Sequence, residues 1–168
     1  MPWKNGGGIT HEIARADDAD GLVWRLSIAE VASDGPFSAF TGLSRILTVI
    51  EGAGLYLHHA TGTLPALPLR PIAFSGDLPI TSQMIDGRIR DFNVIFNAAK
   101  VQAAVTVFKG AVPVCPPGPG RHYALLALTK MQLDGSDVPV NSLAQFEQFS
   151  GTGPRDFIGI IVRFEHTP

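Results

Sequence analysis

The feature that most constrains this chain is its punctuation. Eighteen glycines and thirteen prolines are spread through 168 residues, and they cut the apolar segments into short pieces. Proline cannot donate to a ladder and glycine weakens a strand interior, so each marks an end or a turn. Apolar runs recur at intervals of roughly 8–12 residues, the rhythm of an antiparallel sandwich or barrel. Neither a heptad nor a long amphipathic helical pattern interrupts it. The predicted fold class is all-β.

Leu22 to Val31 reads as a strand, with Leu22, Trp24, Leu26 and Ile28 on one face and Val23, Arg25, Ser27 and Ala29 on the other. The second face is either solvated or the lined interior of a barrel. Asp34-Gly35-Pro36 is a turn signal, followed by an irregular aromatic loop from Phe37 to Phe40. Arg45 to Glu51 forms another strand, and Glu51-Gly52-Ala53-Gly54 leads into Leu55 to His59, which predicts a hairpin. Pro65, Pro68 and Pro71 exclude a central strand from the next segment. In Asp91 to Asn97, Asp91, Asn93, Ile95 and Asn97 alternate with Phe92, Val94 and Phe96. Facing water, that polar row needs no explanation; facing an interior, it is the wall of a binding site.

The second half continues the pattern with strand candidates at Val101 to Phe108, Tyr123 to Met131, Val138 to Val140, Ala144 to Phe149 and Phe157 to Glu165. Between the first two lies Pro113 to Gly120, a stiff connector with four prolines. It predicts a junction, with one portion over residues 1–110 and a second, less typical one over 111–168.

Hydrophobic residues make up 45% of the chain and charged residues 17%, which is the balance of a folded protein and not of a disordered tail. A net charge of −2 gives no support for nucleic acid or an anionic membrane surface as partner. A small or neutral partner is more natural. The single cysteine, Cys115, excludes an internal disulfide framework. No signal peptide and no apolar run long enough to span a bilayer are seen, so the cytoplasm is the expected location.

Chemistry is concentrated in a few places. Pro2, Trp3, Lys4 and Asn5 precede Gly6, Gly7 and Gly8, and such a glycine run either nests an anion on its backbone N–H groups or is a flexible start. No spaced His/Glu cluster is visible, and adjacent His58 and His59 point to opposite faces of a strand, so neither a metal nor another cofactor is expected. Cys115 lies among prolines, with nothing marking a low thiol pKa. Asp77 and Asp91 are candidate general bases, or else caps of turn N–H groups. Arg45 opens an apolar strand with a planar fork suited to a carboxylate, and Arg25 could act alongside it. The alternative is a structural ion pair of Arg45 with Asp91 or Glu51. A pocket of Arg45, the Gly6 to Gly8 amides and Asn93 is chemically coherent.

Several of these segments, in this order, resemble the HutD/Ves family: Pro2-Trp3-Lys4-Asn5-Gly6-Gly7-Gly8, Trp24 to Ala29, Asp34-Gly35-Pro36-Phe37-Ser38, Arg45-Ile46-Leu47 with Glu51-Gly52 and Gly54, Phe74-Ser75-Gly76-Asp77, and Asp91-Phe92-Asn93-Val94. The resemblance covers the first two-thirds of the chain. It implies a bicupin, two small cupin-like, jelly-roll-type antiparallel barrels packed together without the usual metal ligands. It further implies a regulator of histidine utilisation that binds a small anionic metabolite such as N-formylglutamate. Carried over, the ligand-binding role falls on Arg45, with Trp3, Lys4, Asn5, Gly6, Gly7 and Asn93 lining the pocket and Asp77 and Asp91 nearby. Two other readings stay open: a cupin-type hydrolase or isomerase using Asp77 or Asp91, and a homodimer built on an apolar barrel face.

Overall fold

Every regular element among the described residues is a β-strand. The computed structural model describes residues 7–133, 136–149 and 157–167, and no described helix is long and apolar enough to cross a membrane. The chain divides into two units, Met1–Ala98 and Ala99–Pro168.

The first unit contains β1 (Gly8–Asp18), β2 (Gly21–Val31), β3 (Gly35–Pro36), β4 (Ser44–Glu51), β5 (Leu55–His59), β6 (Gly62–Ala66), β7 (Ile72–Ser75), β8 (Thr81–Met84) and β9 (Ile89–Phe96). They form a five-stranded sheet in the order β1-β2-β9-β4-β7 and a four-stranded sheet in the order β3-β8-β5-β6. All the pairings are antiparallel. The alternation in β2 and β9 is as expected, yet both of its faces are shielded. Leu26, Ile28, Phe92 and Val94 are buried on one side, and Ser27, Ala29, Asp91 and Asn93 on the other. On this second side, Val31, Leu47, Val49 and Ile89 of the larger sheet share one apolar cluster with Leu55, Leu57 and Ala66 of the smaller. Each fully buried side chain of this size contributes about 1.5–3 kcal/mol.

Two expectations need correcting here. The expected hairpin between residues 45–51 and 55–59 does not form, because β4 pairs with β7 and β9 whereas β5 pairs with β6 and β8. The glycine turn carries the chain from one sheet to the other. At Gly52 (φ 91°) a Cβ would lie 2.7 Å from the Arg88 carbonyl oxygen, and at Gly54 (φ 105°) 2.5 Å from that of Ala66. Only glycine fits both corners. Nor is there a closed barrel among the described residues: the two sheets share no ladder and face each other across the apolar cluster. Pro36 in β3 and Pro65 in β6 fall on the edge strands of the smaller sheet, where their missing N–H groups prevent a continuous ladder.

The second unit contains β10 (Val101–Lys109), β11 (Arg121–Ala127), β12 (Met131–Leu133), β13 (Ser136–Val138), β14 (Leu143–Phe146) and β15 (Ile158–His166). A four-stranded sheet runs β10-β15-β11-β14, beside a β12-β13 pair. Its core joins Phe108, Tyr123, Leu125, Met131, Phe149, Phe157 and Ile161. β10 pairs along its whole length with β15, so the chain divides at residue 98 and not at 110, and the proline-rich connector lies inside this unit. Cys115 exchanges backbone hydrogen bonds with Phe149 at 2.8 and 3.0 Å. Burial also raises its thiol pKa, which suits a packing residue better than a nucleophile.

Candidate functional site

Register builds the site. Arg45 lies opposite Ile95 and Leu47 opposite Asn93 across β4 and β9, while Ser27 and Ala29 of β2 lie opposite Asn93 and Asp91. Residues two apart share a face, so Arg45, Asn93, Asp91, Ser27 and Arg25 all project from the inward face of the larger sheet. Four of them are nearly withdrawn from water: Arg45 is 5% exposed, Asn93 5%, Ser27 1% and Asp91 0%.

A hydrogen-bonded row connects three of these. The Arg45 Nη2 donates to Asn93 Oδ1 at 2.8 Å, and Asn93 Nδ2 donates to Asp91 Oδ1 at 2.5 Å. Arg45 Nη1 donates to the Ser38 carbonyl oxygen at 3.1 Å. Three rings surround the guanidinium, with the centroids of Phe37, Phe40 and Phe74 at 5.5, 5.0 and 5.1 Å from Cζ. Such rings stabilise a cation that water no longer solvates. The alternative of an Arg45–Glu51 pair is set aside, because Glu51 bonds Arg90 instead.

A guanidinium has five N–H donors. Two of them are used here, so three remain among the described residues. Arg45 Nε and Asp91 Oδ2 are both buried without a hydrogen-bond partner among the described residues. Both residues line a small cavity of about 40 Å³, together with Thr10, Arg25, Ser27, Ala29, Phe37, Ser38, Phe40, Asn93 and Ile95. That volume admits two or three water-sized groups, enough for a carboxylate and too little for a whole metabolite. Arg25, at the rim, is held by Glu12 at 2.7 Å.

Burial sets the electrostatics. It lowers Arg45 to about 10, against the pull of Asp91, and leaves it cationic at neutral pH. It raises the Asp91 carboxyl to about 7, against the opposing effects of Arg45 and the Asn93 hydrogen bond. Around pH 7, then, the cavity sets the buried Arg45 cation beside a carboxyl that is half neutral, with Arg25 and its partner Glu12 at the rim.

Phe74-Ser75-Gly76-Asp77 has a positioning role. Phe40 N–H donates to the Gly76 carbonyl at 2.8 Å, and Gly76 N–H donates to that of Leu43 at 2.7 Å. A Cβ on Gly76 would lie 2.3 Å from the Phe40 carbonyl oxygen. Asp77 completes the clamp, accepting from Gly42 N–H at 2.9 Å and from Ser75 Oγ at 3.3 Å. Its exposed carboxylate thus anchors the loop that brings Phe37, Ser38 and Phe40 onto Arg45, and does not line the cavity.

The structure therefore brings together Arg45, Asn93 and Asp91, and leaves Asp77 apart. Gly7 is buried where β1 begins, its carbonyl accepting from Ala32 N–H at 3.0 Å, and is not among the lining residues. Trp3, Lys4, Asn5 and Gly6 lie outside the described residues. The aromatic enclosure and the Ser38 carbonyl escaped the sequence reading, although the irregular loop from Phe37 to Phe40 was their signal. Among the described residues no group of three or more His, Cys, Asp or Glu side chains could hold a metal ion. His58 contacts Thr63 and Gln83, whereas His59 contacts Thr61.

Residues 1–152 match the model of the HutD family. The chain belongs to the HutD family. Its first 152 residues include the whole of the site just described. A protein of 21.2 kDa encoded in the hutC 3′ region of Pseudomonas putida is 43% identical over 113 residues, 66% of this chain and 60% of that protein. Protein Ves of Escherichia fergusonii is 34% identical over 108 residues, 62% of this chain and 56% of that protein. The matched segments thus span less than two thirds of these relatives' lengths. The structure of HutD from Pseudomonas fluorescens SBW25, from a formate condition, superposes with a TM-score of 0.84 at 30% identity, over 100% of this chain and 94% of that one.

Proposed function

We propose that this HutD-family chain is a binding protein for a small carboxylate, acting in the cytoplasm as a regulator of histidine utilisation without a metal. The observation that carries the reading is the buried Arg45 guanidinium, whose Nε has no partner among the described residues and whose side chain lines a cavity of carboxylate size. Holding an arginine out of water is costly unless its donors are met. A carboxylate accepting from Nε and a neighbouring Nη would meet them in the bidentate geometry that a guanidinium favours. The relatives' names, HutD and a hutC-region protein, support the pathway, and within it N-formylglutamate offers both carboxylate and formyl oxygens. The two antiparallel units are consistent with a bicupin.

Calorimetric titration with N-formylglutamate, glutamate, urocanate and histidine tests this reading. Saturable binding of the formylated acid is expected, weakened roughly 100-fold or more in Arg45→Ala, since two charge-assisted hydrogen bonds are lost. Equal affinity in a folded Arg45→Ala protein would remove Arg45 from the role.

A second reading has an observation of its own. A carboxyl titrating near 7 inside a cavity is also what a general acid or base needs, so a hydrolase or isomerase using Asp91 is the alternative. Product formation from a histidine-pathway intermediate, abolished in Asp91→Asn with binding retained, would favour it.

A further inference from the structure

The carboxylate reading places an anion beside a residue that is itself an acid, and the structure holds the two in one small space. Asp91 is fully buried and lines the cavity; Asn93 occupies its Oδ1, while Oδ2 has no partner among the described residues. In about 40 Å³ a carboxylate that reaches Arg45 also comes against Asp91. Two carboxylates at such a distance cannot both stay ionised; one must carry a proton. Asp91 is the better holder, because the ligand oxygens take the arginine hydrogen bonds that favour the charged form. Protonated Asp91 then donates Oδ2–H to the ligand, and an atom otherwise unpartnered becomes bonded.

We propose that the site binds its carboxylate ligand together with one proton, held on Asp91 Oδ2 and donated to the ligand as a hydrogen bond. Asp91 is thereby a specificity-determining residue, selecting ligands with an oxygen lone pair free to accept from it as well as from Arg45. The inference rests on the carboxylate reading above and adds the proton to it. No bond other than O–H is made: water or buffer gives up the proton, and Asp91 takes it.

Among the described residues the charges around Asp91 are few. Arg45 comes from β4 and Arg25 from β2, the latter paired with Glu12 of β1. The loop from Phe37 to Phe40 and the inward Phe74 of β7 bring no charge, and Leu55 and Leu57 of β5 and Ser82 of β8 bring none from the smaller sheet. Arg45 and the Asn93 hydrogen bond favour the Asp91 anion and burial opposes it, burial being the larger effect. The empty site therefore loses its proton near pH 7, and a bound anion holds it to higher pH.

The test uses the whole protein with sodium formate and with N-formylglutamate, both fully ionised across the range. Titrations at pH 8 in two buffers of different ionisation enthalpy should show uptake of nearly one proton per ligand, and affinity should fall by about tenfold from pH 6 to pH 8. In Asp91→Asn, whose amide donates without titrating, uptake should vanish and affinity should become flat over that range. Binding without proton uptake, or with the same pH dependence in a folded Asp91→Asn, overturns the proton proposal and leaves the carboxylate reading standing. Failure of both probes to bind wild-type protein at pH 6 and at pH 8 overturns both. The buffer comparison needs only wild-type protein, so it decides even if the variant does not fold.

Discussion

In the first unit the central strand is β9, flanked by β2 and β4; in the second it is β15, flanked by β10 and β11. β9 turns Asp91 and Asn93 inward, and β15 turns Ile161 into a cluster with Phe108, Tyr123 and Leu125. All six buried polar or charged side chains among the described residues belong to the first unit: Ser27, Arg45, Thr48, Ser82, Asp91 and Asn93. The second unit satisfies its one buried phenol internally, Tyr123 donating to the Pro116 carbonyl at 2.9 Å. One of its clefts, at about 230 Å³, is roomier than the 40 Å³ cavity beside Arg45, yet the charge lining that cleft, Arg163, is half exposed. Volume alone is thus a poor guide to function. Two charged side chains withdrawn almost wholly from water, Arg45 and Asp91, lie in the first unit, where the binding proposal puts the ligand, and aromatic residues fill the core of the second.

The sharpest way to break this contrast is through pH. Asp91 has its folded pKa raised to about 7 from an ordinary 3.8, so the folded chain keeps a proton that the unfolded chain releases. The sign follows: stability from this group is fully present below about pH 4 and declines as pH rises to about 7, by up to about 4 kcal/mol at 1.36 kcal/mol per unit. Urea denaturation of wild type and Asp91→Asn from pH 4 to pH 8 should show that difference, and parallel curves would contradict it. Next in size is Gly76→Ala. The added methyl displaces the Phe40 carbonyl and with it the aromatic loop, so ligand affinity should drop about tenfold, or about 1.4 kcal/mol, with the second unit's packing unchanged by near-ultraviolet circular dichroism. Smallest is Tyr123→Phe, which removes one hydrogen bond in the supporting half. It should cost about 1 kcal/mol of stability and leave ligand binding as it was; a loss of binding would show that the halves do not divide the work this way.

Much of the first unit was legible because alternation is a local property. Period-two patterning put Asp91, Asn93, Ile95 and Asn97 in one polar row, a wet face or a wall, and Arg45 stood out as an arginine opening an apolar strand. What could not be read was which wall faces inward, since both faces of β2 and β9 are shielded and composition does not distinguish a lined interior from a wet surface. The Glu51 to Gly54 turn misled for a related reason. A glycine-rich link has the same residues whether it folds a strand back on its neighbour or passes it to another sheet, and the carbonyls of Arg88 and Ala66 that decide the matter lie far along the chain. Asp77 was recognised as a capping residue or a base; its partner Gly42, 35 residues away, makes it a clamp. The division at residue 98 escaped because β10 looks like its predecessors until β15 pairs with it.

The position of β9 also bears on how the chain folds. Its two neighbours are made of residues 21–31 and 44–51, and it is itself made of residues 89–96, so the strand that completes the sheet is the last of the five to leave the ribosome. Until it docks, β2 and β4 each expose an unpaired edge, a template for association with other chains. Arg45, meanwhile, lacks both Asn93 and the carboxylate beyond it. The pocket and the central ladder are therefore completed in one step: a chain that can hold the ligand has already closed its most adhesive edges. A ligand present during synthesis would favour the finished sheet, because it gains its full contacts only there.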